Sequence, residues 1–211
     1  MKNIHISILP EQQKSLFNII LKQDWISSFY LAGGTALGFH IGHRQSIDFD
    51  FFTQNKFDSS AIIQNLKSIG TFDLFDQSED TINGSLDNVK ILFFRYAYPL
   101  LVDLHSFKRL LIADMLDIAL MKLEAIAGRG SKKDFIDLYF LLQYFSTKEL
   151  FENYSLKYGI EIGNHYHLLK SLLYFKDAEH QPMPIMIKNI KWEEIKAEIV
   201  NQIKESQIIT F

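Results

Sequence analysis

No cysteine occurs anywhere in the 211 residues, and this one absence removes disulfide bonding, cysteine-ligated zinc and thiol catalysis together. A cytosolic setting is the matching expectation. Proline is scarce, at 4, and glycine stands at 10, so the chain lacks the make-up of a linker or a low-complexity polymer. No uninterrupted apolar run approaches the length needed to cross a bilayer, and no membrane association is expected. The opening MKNIHISILPEQQ has no continuous apolar core after its basic residue and does not read as a signal peptide. A basic surplus is missing too: the formal charge of −3 argues against wholesale coating of nucleic acid.

What the chain does hold is core material. Aromatic residues make up 14%, with 18 Phe, and the length suits one domain or two small lobes. The expected division is an α/β lobe over 1–110 and a helical lobe over 111–211 that completes a cleft.

The densest chemistry lies between Phe29 and Thr53, FYLAGGTALGFHIGHRQSIDFDFFT. The run Phe29 to Ala32 predicts a short buried strand, closed by Gly33 and Gly34 where the backbone must approach something closely. Thr35 is expected to cap a helix from Ala36 to about Ile41, turning the N–H groups near Gly34 and Thr35 into an anion site. From Ser46 the residues alternate, so Asp48 and Asp50 should share one strand face while Ile47, Phe49 and Phe51 fill the other. Two carboxylates so close repel, and a divalent cation between them relieves the repulsion. A lone Asp-x-Asp also describes any half-exposed edge strand, and a glycine pair is more often a tight turn with no ligand.

Elsewhere the spacing predicts a helix from Pro10 to about Lys22 and another from Asp58 or Ser59 to Gly70. Two or three antiparallel strands follow over Phe72–Phe75, Thr81–Leu86 and Val89–Phe94, the last two turned at Asp87-Asn88. Leu100 to His105 reads as a strand or an irregular crossing. Helices are expected from Asp114 to Ala127, from Lys132 or Lys133 to about Phe145, after Ser146-Thr147, over His165–Phe175 and over Trp192–Ser206, with a loop from Asp177 to Pro184. Asp134 and Asp137 share one face, and their plainest reading is the wet side of a buried helix. Lys108, Arg109, Lys122, Arg129, Lys132 and Lys133 outnumber Asp114, Asp117 and Glu124 over the same span, a local basic patch or a solvated face. His40 and His43 stand near the proposed site, and His165 and His167 read as a fortuitous pair rather than metal ligands.

Gly-Gly-Thr followed by Arg44-x-Ser46-x-Asp48-x-Asp50 resembles the signature of the polymerase-beta-like nucleotidyltransferase superfamily, and within it the AbiEii/AbiGii toxin family. Lys122, followed by Lys133-Asp134-x-x-Asp137-Leu138, is similar to that family's second motif. The resemblance runs from about Phe29 to Leu142. It implies an α+β fold: an N-terminal polymerase-beta-like mixed sheet with flanking helices, then a helical C-terminal lobe. It also implies Asp48, Asp50, Lys122, Asp134 and Asp137 as catalytic residues, with Asp137 slightly ahead of Asp134. Gly33, Gly34, Thr35, Arg44 and Ser46 become the nucleotide-binding set. One or two Mg²⁺ would sit on Asp48 and Asp50, with Asp103 either a third ligand, as relatives carry on a neighbouring strand, or a loop acid.

The activity so implied is Mg²⁺-dependent transfer of NMP from NTP to an acceptor, releasing pyrophosphate, in a toxin-antitoxin or phage-defence setting. In relatives the acceptor is tRNA, so an RNA acceptor and a cognate antitoxin protein are the expected partners. Two alternatives stay open. One is an aminoglycoside-type nucleotidyltransferase acting on a small molecule, which the acidic balance favours and the basic patch opposes. The other is a nucleotide- or partner-binding pseudoenzyme, against which the intact Asp48 and Asp50 argue.

Overall fold

A computed structural model describes residues 4–159 and 165–206 of the chain. The chain divides into two compact units: a sheet unit, Met1–Pro99 with Asp103–Asp114, and a helical unit, Leu100–Val102 with Met115–Phe211.

In the sheet unit, Pro10 stands just before α1 (Glu11–Ile20), where its missing N–H costs nothing. Trp25 and Ile26 lie in a short 3-10 turn leading to β1 (Tyr30–Leu31), then α2 (Gly33–Ile41) and β2 (Phe49–Thr53). Asp58 caps α3 (Ser59–Ile69), its carboxylate accepting from Ser60 N at 2.9 Å and Ala61 N at 3.2 Å. The strands β3 (Phe72–Ser78), β4 (Thr81–Leu86) and β5 (Val89–Arg95) form the expected antiparallel meander. Asp87 and Asn88 turn the second hairpin with φ of 49° and 63°, the left-handed conformation a two-residue loop requires.

Residues 100–104 form an irregular crossing, one of the two readings the sequence offered for Leu100 to His105, and a hairpin of β6 (His105–Phe107) and β7 (Leu110–Ile112), which the sequence did not suggest, closes this unit. Lys108, at φ 55°, makes its turn with Arg109. The seven strands run in the order β3-β4-β5-β2-β1-β7-β6, with β2 parallel to β5, β1 parallel to β7 and the other pairs antiparallel.

The core that holds β2 in place is aromatic. Phe17 of α1 meets Phe39 of α2 at 5.2 Å and stacks on Phe49 of β2 at 5.5 Å, while Phe51 stacks on Phe93 of β5 at 5.1 Å. All five rings are fully buried, each supplying ~1.5–3 kcal/mol of transfer free energy. Ile47, expected on this face, lies before the strand begins and is 55% exposed.

The helical unit comprises α4 (Met115–Gly128), α5 (Lys132–Leu141), α6 (Thr147–Tyr158), α7 (His165–Leu172), α8 (Lys176–Glu179) and α9 (Trp192–Glu205). Ser146 caps α6 by accepting from Glu149 N, as its position predicts. Two expectations are corrected: α5 stops at Leu141 in a run of turns, and the predicted loop after Asp177 contains part of α8. Phe135, Phe175 and Trp192 pack as a ring cluster, with centroids 4.9 to 6.1 Å apart. Beside this apolar packing, Asp117 and Lys157 form an ion pair at 2.6 Å in which neither side chain is exposed. The same carboxylate accepts from the backbone N–H of Leu101 and of Val102, each at 3.1 Å.

Candidate active site

The site of the sheet unit begins where β1 ends. Ala32 N–H donates to the carbonyl of Asp50 at 3.1 Å, which aligns the end of β1 with β2. Gly33 then opens α2 at φ +66°, a conformation that a side chain resists. A Cβ on Gly33 would stand 2.5 Å from Asp50 Oδ2, and one on Gly34 would stand 2.5 Å from Arg44 Nη2 and 3.5 Å from Ser46 Oγ. The glycine pair thus lets a carboxylate and a guanidinium reach the first turn of a helix.

That turn carries backbone N–H groups at Gly33, Gly34 and Thr35 that precede the first intrahelical bond, Ala36 N to Ala32 O at 3.4 Å. Such groups, with the positive end of the helix dipole, favour an anion. Thr35 is not the cap that the sequence suggested. The helix starts three residues earlier, with Ala32 in the cap position, and Thr35 is buried in the first turn. Its hydroxyl bonds Ser46 Oγ at 2.7 Å and the backbone carbonyl of Asp48. Thr35 and Ser46 therefore tie the helix start to the segment that delivers Asp48. Arg44 is buried as well and donates to Gln45 O at 3.0 Å.

Asp48 lies one residue before β2 and Asp50 within it, both half-buried. Among the described residues no group of three or more His, Asp or Glu side chains assembles that could cage a metal. Two half-buried carboxylates nevertheless fit Mg²⁺, a hard cation that takes one or two carboxylates and completes its octahedron with water and substrate phosphate. The neighbour of Asp50 on β5 is Leu92, so that strand brings no acid opposite it. Asp103 is exposed in the loop before β6, and β7 and β1 intervene between β6 and β2.

Of the nearby histidines, His40 binds the Ala113 carbonyl through Nε2 at 2.8 Å and meets the His105 ring at 5.4 Å. Burial lowers its pKa. His43 is fully buried. His105 Nε2 lies 2.8 Å from Asp114 Oδ2.

The second motif folds into a buried charge network in the helical unit. Lys122 on α4 reaches Asp134 Oδ1 at 2.9 Å and Asp137 Oδ2 at 2.6 Å on α5, and all three side chains are at most 8% exposed. Arg129 grips Asp134 with two nitrogens, Nε to Oδ2 at 2.9 Å and Nη2 to Oδ1 at 3.1 Å, and Ser131 Oγ donates to Oδ2 at 2.6 Å. Burial alone would raise the pKa of Asp134. The charge of Lys122, then the hydrogen bond and charge of Arg129 and the hydroxyl of Ser131, outweigh it and bring the group to about 2. The wet-face reading of Asp134 and Asp137 is therefore corrected.

Arg129 entered the sequence reading only as a basic residue, and Ser131 did not enter it. The signal was present in Ser131-x-x-Asp134, the spacing at which a helix-capping serine meets the third helical residue.

The expected basic patch is also altered. Lys122 is committed to its two acids, and Lys132 is buried, donating to Glu179 O at 3.0 Å with its ammonium over the Trp192 ring. His165 is buried against Ser155 Oγ at 2.8 Å while His167 is exposed, so the two point to different surroundings.

The sequence profile described as "Nucleotidyl transferase AbiEii toxin, Type IV TA system" matches residues 14–108. The uncharacterized protein aq_aa25 of Aquifex aeolicus is 39% identical over 206 residues, spanning 93% of this chain and 97% of its own. Among solved structures, MenT4, a nucleotidyltransferase toxin of Mycobacterium tuberculosis, superposes with a TM-score of 0.59 at 12% identity, covering 95% of this chain and 86% of that one. JHP933 of Helicobacter pylori gives 0.55 at 19% identity, covering 94% and 93%. These two are likenesses of fold, and they match the α+β architecture of mixed sheet and helices described above. With its glycine pair and alternating acids assembled at one helix start, the chain belongs to the AbiEii family of nucleotidyltransferase toxins.

Proposed function

We propose that the chain transfers a nucleoside monophosphate from an NTP to an RNA hydroxyl. The acceptor hydroxyl releases its proton to solvent as its oxygen bonds the α-phosphorus, the bond from that phosphorus to the bridging oxygen breaks, and pyrophosphate leaves with the electron pair. One observation carries the reading: Asp50 and Arg44 are seated against Gly33 and Gly34 at the start of α2. There the N–H groups of the first turn hold phosphate oxygens, and Arg44 adds fixed positive charge beneath them. Thr35 and Ser46 keep the loop that carries Asp48 against the helix. Asp48 and Asp50 hold Mg²⁺, which when bound activates the acceptor oxygen and offsets phosphate charge.

Lys122, Asp134 and Asp137 act, with Arg129 balancing the second carboxylate, as a group whose loss lowers turnover. The family's description as a type IV toxin supports a counteracting antitoxin and a cytoplasmic setting, and no described helix is long and apolar enough to cross a membrane.

A small-molecule acceptor is the second reading, favoured by the burial of Lys122 and Lys132, which removes two of six cations from any RNA-facing surface. Incubation with labelled NTPs, Mg²⁺ and total RNA tests both. Labelled RNA that disappears with Asp50→Asn supports the first. Labelling of aminoglycosides but not RNA moves the second ahead, and no transfer to either class with any NTP defeats the proposal.

A further inference from the structure

The helical unit holds a cavity of about 450 Å³ that nucleotidyl transfer as described does not use, walled by the end of α4, by α7 and by the start of α8. Its volume falls within the range of about 300–1,000 Å³ common to small-ligand sites, room for a nucleotide. Arg129 contributes from one wall and His167 and Lys170 from another, with Tyr174 between them and one carboxylate, Asp177.

The cations are held in place rather than loosely solvated. Arg129 is pinned by two nitrogens to the buried Asp134 yet keeps 67% of its side chain exposed. Lys170 lies over the Tyr166 ring at 4.3 Å. Tyr174 is 50% exposed, so a flat apolar face stands in water beside these charges. Gly128 leaves further room, since a Cβ there would meet nothing within 4 Å.

We infer that this cavity docks a single-stranded segment of the RNA acceptor, an inference that rests on the RNA reading given above. Arg129 and Lys170 face backbone phosphates, Tyr174 offers a base its stacking surface, and Asp177 accepts from a ribose hydroxyl or an exocyclic amine. A free triphosphate fits less well. It concentrates several negative charges at one point, where Asp177 and the negative C-terminal end of α4 repel them. A phosphodiester strand carries one charge per nucleotide and accommodates the mixed lining.

Binding of a short fluorescein-labelled single-stranded RNA to the full chain, followed by anisotropy across a salt series, tests this. Tyr174→Ala weakens binding about tenfold through lost stacking. Lys170→Gln lowers the slope of log affinity against log salt by about 0.7, one phosphate contact on a single strand. Gly128→Glu, which places a carboxylate in open space, weakens binding as well. Lys170 and Tyr174 are exposed, so these variants should fold, and thermal unfolding of each checks that they do. If the parent chain binds and labels RNA while all three variants match it in affinity and slope, the docking site is wrong and the RNA-acceptor reading stands. If the parent neither binds nor labels RNA, both fall. Equal loss of NTP and RNA binding in the variants assigns the cavity to the nucleotide and overturns the inference.

Discussion

The carboxylate of Asp50 occupies the space that any side chain on residue 33 would need, with its Oδ2 atom 2.5 Å from the position of a Cβ there. The Asp50 carboxylate could clear that space only by turning away from its place beside the helix start, and Gly33 holds a left-handed φ.

Gly33→Ala therefore combines backbone strain with a clash, at a cost of about 1–3 kcal/mol for the conformation alone. The expected outcome is a lower urea midpoint and near-complete loss of nucleotide transfer. A variant with parental stability and turnover would show that the contact does not matter.

Asp48→Asn and Asp50→Asn keep side-chain volume and remove charge. Loss of metal-borne charge stabilisation worth several kcal/mol lowers transfer at least about a hundredfold. Mg²⁺ should raise the Tm of the parent chain through preferential binding to the folded state, and should raise that of the double variant little or not at all. An equal Tm rise in both places the ion elsewhere.

Lys122→Ala removes the ammonium that Asp134 and Asp137 share in a buried setting, while Arg129 and Ser131 still hold Asp134. Breaking a buried pair by removing one partner costs about 3–5 kcal/mol, so the variant should unfold at markedly lower denaturant. Lys122→Ala combined with Asp137→Asn should recover part of that loss. No recovery would mean that Asp137 carries little of the pairing.

Asp134 sets an acid limit on stability. Its folded pKa of about 2 lies below its ordinary 3.8, so its contribution is present in full above about pH 5 and is lost as pH falls toward 2. The shift corresponds to about 2 kcal/mol. Arg129→Ala raises the folded pKa toward the ordinary value, and the difference in stability between variant and parent should shrink as pH drops from 6 to about 2. A difference constant with pH would assign the effect of Arg129 to packing.

Much of the sheet unit was legible because its signals are local. The Asp87-Asn88 turn, the Asp58 cap and the alternation through Phe49 and Phe51 each depend on residues within a few positions. Failures came where a distant partner decides. Thr35 looks like a cap by type, but Ser46 and the carbonyl of Asp48 claim its hydroxyl, and Gly33 can begin the helix sooner than a branched residue could. Ile47 follows the alternation, yet β2 begins only at Phe49.

In the helical unit, helix positions were legible and charge burial was not. Lys122, Lys132, Asp134 and Asp137 read as surface because charged side chains seldom enter a core without partners. Their partners lie up to tens of residues away in sequence, as Glu179 does for Lys132. The Asp117 and Lys157 pair, 40 positions apart, left no pattern to read.

The fastening of Leu101 and Val102 to Asp117 bears on how this protein is synthesised and cut. The chain leaves the sheet unit after Pro99, lends three residues to the helical unit, returns at Asp103 and leaves again after Asp114. Neither unit thus corresponds to one uninterrupted stretch of gene. During translation Leu100–Val102 emerge before the carboxylate and the lysine that anchor them, so the crossing settles only once α6 has been made. A fragment beginning at Met115 keeps Asp117 and Lys157 but forfeits two N–H donors, leaving a buried carboxylate short of partners. A protease nick after Val102 would leave each half holding part of the other's fold, and one before Leu100 would leave β6 and β7 of the sheet unit on the helical half.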